Sequence, residues 1–230
     1  MQSYALGGYL SRSNGFSSPL RCSCLTLKDN ELAAKRREDF HSSAIMFQWD
    51  FSYSYGFDSC MKSFLPTFRK EKSPITDFEP SLAEIACAQS HQRILIEFLN
   101  SSDDFHLICE DDVLFISPPP LVLPAHDFDI LFLNSRCHHN RYGELWGATS
   151  CGTDTYLVSR RGAHLLLEIL QESAYLHLPL DMLIISRSTS MRRMGHHVCR
   201  FFSDQLPMLQ CYHSEAITVH PHRHPSHLQH

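Results

Sequence analysis

Four short apolar runs constrain this chain more than any other feature: Cys22 to Leu27, Phe105 to Cys109, Asp129 to Leu133 and Thr155 to Ser159. Each is too short to be a buried helix and reads instead as a strand. Helical patterns alternate with them. One runs from Glu31 to Ile45 after the turn Lys28-Asp29-Asn30. A second opens on the capping box of Ser81 and Glu84 and reaches about Leu99, and a third runs from Arg161 to Leu170. Buried strands interleaved with helices predict an α/β sandwich with a mainly parallel central sheet. The aromatic stretch Phe47 to Tyr53 reads as a further strand, and Lys62 to Glu79, with Pro66 and Pro74, as a crossing loop. The second helix is expected to bury Leu82, Ile85, Ala86, Ile94, Leu95 and Phe98.

At 230 residues, 43% apolar and 20% charged, the chain has the composition of one globular domain. That domain is expected over 22–212, after a loose polar segment 1–21 and before a disordered His/Pro-rich tail, 213–230. A formal charge of -5, with no basic run longer than Lys35-Arg36-Arg37, argues against a nucleic-acid partner and leaves room for a small polyanion. The nine cysteines are an odd number without paired C-x-x-C spacing, which favours a reduced, intracellular setting. The first twenty residues lack the pattern of a signal peptide, and no segment has membrane-spanning length.

In a parallel α/β sheet, ligands bind beyond the carboxyl ends of the strands. The run Phe105 to Cys109 ends there on Glu110-Asp111-Asp112 and returns at once to Val113-Leu114-Phe115. Carboxylates held between apolar runs need water or a partner. Alternation along an extended chain puts Glu110 and Asp112 on one side and Asp111 on the other. Two converging carboxylates suit a hard divalent cation, Mn²⁺ or Mg²⁺, whose open positions take phosphate oxygens. The competing reading is a solvated strand end. Ser90 and His91 interrupt the second helix's apolar stripe and face either a ligand or a neighbouring carbonyl. Asp181, an acid among apolar residues, reads as a helix N-cap or a catalytic acid, and Asp154 as a turn residue. The pairs Cys137-His138-His139, His196-His197-x-Cys199 and Cys211-x-His213 match no zinc-finger or ribbon spacing, so no structural zinc is expected from them.

Taken in order, several of these pieces resemble glycosyltransferase family 25, the lipooligosaccharide glycosyltransferases and the related domains of collagen-modifying enzymes. They are Glu84-Ile85-Ala86-Cys87 with Ser90-His91, Glu110-Asp111-Asp112-Val113, Asp129 to Leu133, Gly152 to Ser159 with Gly162-Ala163, and Pro179-Leu180-Asp181. The resemblance spans Cys22 to Gln210. It implies a GT-A-like fold and a metal-dependent, inverting hexosyltransferase that moves a sugar from a nucleotide-sugar donor, a UDP-hexose, to a glycan or glycolipid acceptor such as a lipopolysaccharide precursor. The implied setting is cytoplasmic, with peripheral contact at the inner face of a membrane allowed. In that scheme Glu110 and Asp112 hold the cation and Asp181 is the base. Asp111, Leu27, Lys28, Arg36, Arg37, Glu84, Ser90 and His91 border the donor. The family's Asn-Leu-Asp/Glu-Arg opening is replaced here by Thr26-Leu27-Lys28-Asp29, which keeps a non-catalytic nucleotide-sugar or glycan-binding protein in view. A metal-dependent nucleotidyl or phosphoryl transferase would use paired carboxylates too.

Overall fold

The computed structural model describes residues 4–6, 9–11, 17–61, 63, 66, 69–70, 79–118, 121–123, 127–136, 152–172, 175–176, 178–193 and 207–221. Its centre is a seven-stranded sheet of β1 (Arg21–Thr26), β2 (Ser52–Tyr55), β3 (Phe105–Glu110), β4 (Leu114–Phe115), β5 (Ile130–Asn134), β6 (Thr155–Ser159) and β7 (Cys211–Val219). The spatial order is β2-β1-β3-β6-β5-β7-β4. Five helices accompany it: α1 (Glu31–Met46), α2 (Leu82–Leu99), α3 (Arg160–Glu172), α4 (Leu180–Ser186) and α5 (Thr189–Arg193).

The sheet is mixed, which corrects the mainly parallel arrangement expected from sequence. Strands β2, β1 and β3 are parallel neighbours, as are β5 and β7, but β6 runs antiparallel to both β3 and β5, and β4 antiparallel to β7. An apolar run looks the same in either direction, so hydrophobic pattern carries strand identity and no polarity.

Alternation along the strands divides the core. On one face Ile108, Ile130, Phe132, Tyr156 and Val158 pack under α2, α3 and α4; on the other Leu107, Cys109, Leu131, Leu133 and Leu157 pack with Phe40 and Ala44 of α1. A sheet buried on both faces explains why its central strands read as unbroken apolar runs.

Three sequence expectations shift locally. The aromatic stretch after α1 is a helix stop, not a strand: Phe47 is the C-cap, Gln48 has φ 60°, and the strand begins at Ser52. Its rings serve the core instead, Trp49 stacking on Phe115 at 5.0 Å and Phe51 meeting Phe40 edge-on at 5.0 Å. Leu82, in the first turn of α2, is 42% exposed, while Ile85, Ala86, Ile94, Leu95 and Phe98 are buried as expected. Residues 213–219, assigned from sequence to the disordered tail, lie in β7, with His213, Ile217 and Thr218 buried. Polar His, Ser, Glu and Thr conceal this strand because burial there depends on its neighbours β5 and β4.

Outside the main sheet, Ser17–Pro19, Tyr9–Ser11, Tyr4–Leu6 and Leu121–Leu123 pair in that order as an antiparallel sheet, and Arg69–Lys70 pairs with Tyr175–Leu176. Among the described residues, no helix is long and apolar enough to cross a membrane.

Candidate functional site

Strand β3 stops at Glu110, and Asp111 and Asp112 form a turn, so strict strand alternation does not extend through the triplet. All three carboxylates border a cleft of about 330 Å³ at the carboxyl ends of β1 and β3. The opposite walls come from Leu25 to Leu27, from the start of α1 at Asn30, Ala33 and Arg36, from Gly56 and Phe57 after β2, and from Ala83, Ala86, Cys87 and Ser90 of α2.

Each wall has a local cause. Asn30 caps α1 by accepting the Ala33 N–H at 3.0 Å, which aims the positive end of that helix at the cleft. Arg37 donates to Thr26 Oγ1 at 3.1 Å and to the Leu27 carbonyl, pinning the turn after β1. Thr26 in turn donates to Asp111 Oδ2. Ser90 donates to the Ala86 carbonyl at 2.6 Å and accepts the Phe57 N–H at 2.8 Å, tying the Gly56-Phe57 turn to α2. Ser81 and Glu84 form the full capping box of α2.

The three carboxylates have different surroundings. Glu110 accepts from Thr153 Oγ1 at 2.7 Å and lies 3.2 Å from His91 Nε2, whose Nδ1 lies 2.9 Å from the Tyr156 hydroxyl. Burial raises the Glu110 pKa, but the His91 and Thr153 hydrogen bonds and the Arg136 charge outweigh it and bring the group below its ordinary value. Asp111 goes the other way: burial and the neighbouring charges of Asp112 and Glu110 raise it, against Thr26 and Arg36. Asp112 Oδ2 accepts from His220 Nε2 at 3.0 Å, while its Oδ1 is buried and makes no hydrogen bond among the described residues.

Arg36 approaches Asp111 Oδ1 only to 3.7 Å, and its Nε is buried without a hydrogen-bond partner among the described residues. Two residues that line the cleft, Asp112 and Arg36, thus each keep one buried polar atom without a hydrogen-bond partner among the described residues.

The loop before β6 closes one side. Asn134 donates to Asp154 Oδ1 at 2.9 Å, and Arg136 lies 3.4 Å from the same oxygen. Asp154 is therefore a buried site residue and not an ordinary exposed turn acid. Burial pushes its pKa up to about 7, with the Glu110 and Asp112 charges adding to the rise and Arg136 opposing it. Gly152 donates its N–H to Asp181 Oδ2 at 3.3 Å, and Asp181 Oδ1 accepts the Met182 N–H at 2.8 Å. Pro179, and not Asp181, is the N-cap of α4.

Of the residues named from sequence, Leu27, Arg36, Ser90, Glu110, Asp111 and Asp112 meet at the cleft. Lys28 borders an adjoining cavity of about 290 Å³ with Asp29 and Asp58. Arg37, Glu84 and His91 stand behind the walls as braces, and Asp181 reaches the site through Gly152. Thr153, Asn134, Arg136, Tyr156 and His220 were not foreseen as site residues, since each arrives from a distant segment. The Cys137 and His196 groups considered for zinc fall outside the described residues.

No known protein family and no curated protein matches the sequence. The solved structures that align with most of the chain include two glycosyltransferases. One is a glycosyltransferase involved in glycosylation of the major capsid of PBCV-1, at 10% identity over 91% of this chain and 97% of that one, TM-score 0.46. The other is a mutant Drosophila β-1,4-galactosyltransferase 7 in complex with manganese, UDP-Gal and xylobiose, at 13% identity over 91% and 74%, TM-score 0.41.

Proposed function

We propose that the chain is a cation-dependent glycosyltransferase of GT-A-like fold that binds a nucleoside diphospho-sugar in the cleft between β1, α1, α2 and the Glu110-Asp111-Asp112 turn. One observation carries this reading: the cleft sets Asp112, one of whose carboxylate oxygens has no hydrogen-bond partner among the described residues, on one wall against the capped start of α1 and the Arg36 guanidinium on another. Such a pairing suits a ligand that is itself a cation bridged to a diphosphate. The ordered resemblance to glycosyltransferase family 25 supports a sugar as the remaining part of that ligand, with a UDP-hexose as the first donor to test.

A divalent cation fits the residues present because Asp112 Oδ1 is buried with no hydrogen bond among the described residues, and His220 Nε2 lies 3.0 Å from the other oxygen. Asp112 would hold the ion, and Glu110 is the second carboxylate within the same cleft. When bound, Mn²⁺ or Mg²⁺ supplies positive charge to the departing diphosphate. Arg36 and the α1 N-terminus bind the phosphates, and Thr26 with Arg37 holds Asp111 toward the donor. An acceptor hydroxyl attacks the anomeric carbon. The new C–O bond forms as the bond to the diphosphate breaks, and the hydroxyl proton passes to a carboxylate, assigned to Asp181. The acceptor class is a glycan or glycolipid.

Thermal shift and nucleotide release over a panel of UDP-, GDP- and CMP-sugars, each with and without Mn²⁺, test the reading. A donor at a hundredfold excess over Kd should stabilise by about 2.7 kcal/mol, a rise of roughly 5–10 °C for a chain of this size, and only with the cation. Asp112→Asn should abolish both effects with circular dichroism unchanged. Full activity in that variant removes the cation assignment, and donor binding without turnover identifies a binding protein.

A further inference from the structure

Among the described residues, three metal-ligating side chains converge in a combination that the sequence did not suggest: Cys87 Sγ, His91 Nε2 or Nδ1 and a Glu110 carboxylate oxygen lie within 4.8 Å of one another. Cys87 and His91 are four residues apart on α2, so one helix face presents both, and Glu110 meets them from the end of β3. The proposed donor function does not use Cys87.

The cluster is pre-organised. His91 is fully buried and can move little: its Nδ1 lies 2.9 Å from the Tyr156 hydroxyl, and its ring stacks on the tyrosine at 5.7 Å. Thr153 Oγ1 donates to Glu110 Oε1, the oxygen that His91 also approaches, at 2.7 Å. An outer partner on the second imidazole nitrogen and another on the carboxylate is the arrangement that orients ligands around a metal. The His91 Nε2 to Glu110 Oε1 separation is 3.2 Å. In a tetrahedral zinc site, with bonds of about 2.0–2.3 Å, neighbouring ligand atoms stand about 3.3–3.8 Å apart.

We propose that Cys87, His91 and Glu110 form a three-ligand site for a borderline-soft divalent cation, zinc or cobalt, with its remaining coordination position facing the cleft that Cys87 and Glu110 border. A thiolate and an imidazole select such an ion over Mg²⁺ or Mn²⁺, which favour the all-oxygen surroundings of Asp112. On binding, the Cys87 S–H proton leaves to solvent and a sulfur–metal bond forms. The ring proton of His91 then resides on Nδ1 and is donated to the Tyr156 oxygen. This site is argued from its own geometry and not from the nucleotide-sugar reading, with which it shares Glu110.

Titration of the full chain with Co²⁺ reads the site directly, because thiolate-to-cobalt charge transfer gives a near-ultraviolet band that histidines of the C-terminal segment cannot produce. The band should saturate at one equivalent, disappear in Cys87→Ser and persist in Asp112→Asn. Tyr156→Phe, which removes only the partner of His91, should weaken Zn²⁺ binding about tenfold or more. A folding-independent measurement uses the wild-type chain alone: one equivalent of Zn²⁺ should slow iodoacetamide alkylation of Cys87 about tenfold, in proportion to site occupancy, and leave the exposed Cys60 unaffected. Absence of the band, its survival in Cys87→Ser, or equal alkylation of Cys87 with and without Zn²⁺ overturns the proposal. A nucleotide-sugar panel that fails while the cobalt band appears would reject the donor reading alone.

Discussion

Gly152 has φ +65°, and a Cβ there would strike the Arg136 guanidinium and the Asp154 carboxylate. Its N–H also holds Asp181, and its neighbour Thr153 holds Glu110, so this turn anchors two acidic groups. Gly152→Ala is expected to cost about 1–3 kcal/mol from the backbone conformation alone. A lowered urea midpoint with unchanged slope would register it, and an unchanged midpoint would mean that the loop has another conformation of equal energy. Residue types at this site were readable in the primary structure, but their division of labour was not. Glu110 and Asp112 appear equivalent in E-D-D, yet one is taken by His91 and Thr153 while the other keeps an oxygen without a hydrogen-bond partner among the described residues. The partners that separate them come from α2, the loop before β6 and the end of β7.

Among the elements, α1 shows how an unfavourable residue can be tolerated at a helix stop. Gln48 donates to the Ile45 carbonyl at 3.1 Å and Trp49 to the Ala44 carbonyl at 2.9 Å, the two bonds of a Schellman ending. The residue in the left-handed position is normally glycine, and here it is an exposed glutamine. Gln48→Gly should therefore stabilise the protein by about 1 kcal/mol, measured as a higher midpoint of thermal or urea unfolding; a loss of stability would show that the glutamine side chain contributes something its exposure hides. The absence of glycine is also why this helix end was misread as the start of a strand. The opposite case is α2, whose Ser81 and Glu84 pair is a local signal and appears in the structure as anticipated, since capping uses only residues within one turn.

For the whole molecule, stability should depend on pH through His106, buried between β1 and α2 and 2.9 Å from Ser23 Oγ. Burial lowers its pKa from 6.5 to about 4, so between those values the unfolded chain binds a proton that the folded chain refuses. The contribution is fully present above pH 6.5 and is lost as pH falls toward 4, by up to about 3 kcal/mol. In urea melts over that window, the difference in unfolding free energy between the wild type and His106→Gln should change by this amount, and parallel stability–pH curves would contradict it. At this scale the primary structure determined where the buried strands and long helices lie, because apolar periodicity and capping are properties of neighbouring residues. It also marked the acidic turn at the end of β3, an anomaly of charge between apolar runs. Strand direction, the membership of β7 in the sheet, and the meeting of Cys87 and His91 with Glu110, or of His220 with Asp112, were decided only in three dimensions. Each depends on contacts between segments far apart in the chain, and hydrophobic pattern carries no information about which distant segment will supply a partner.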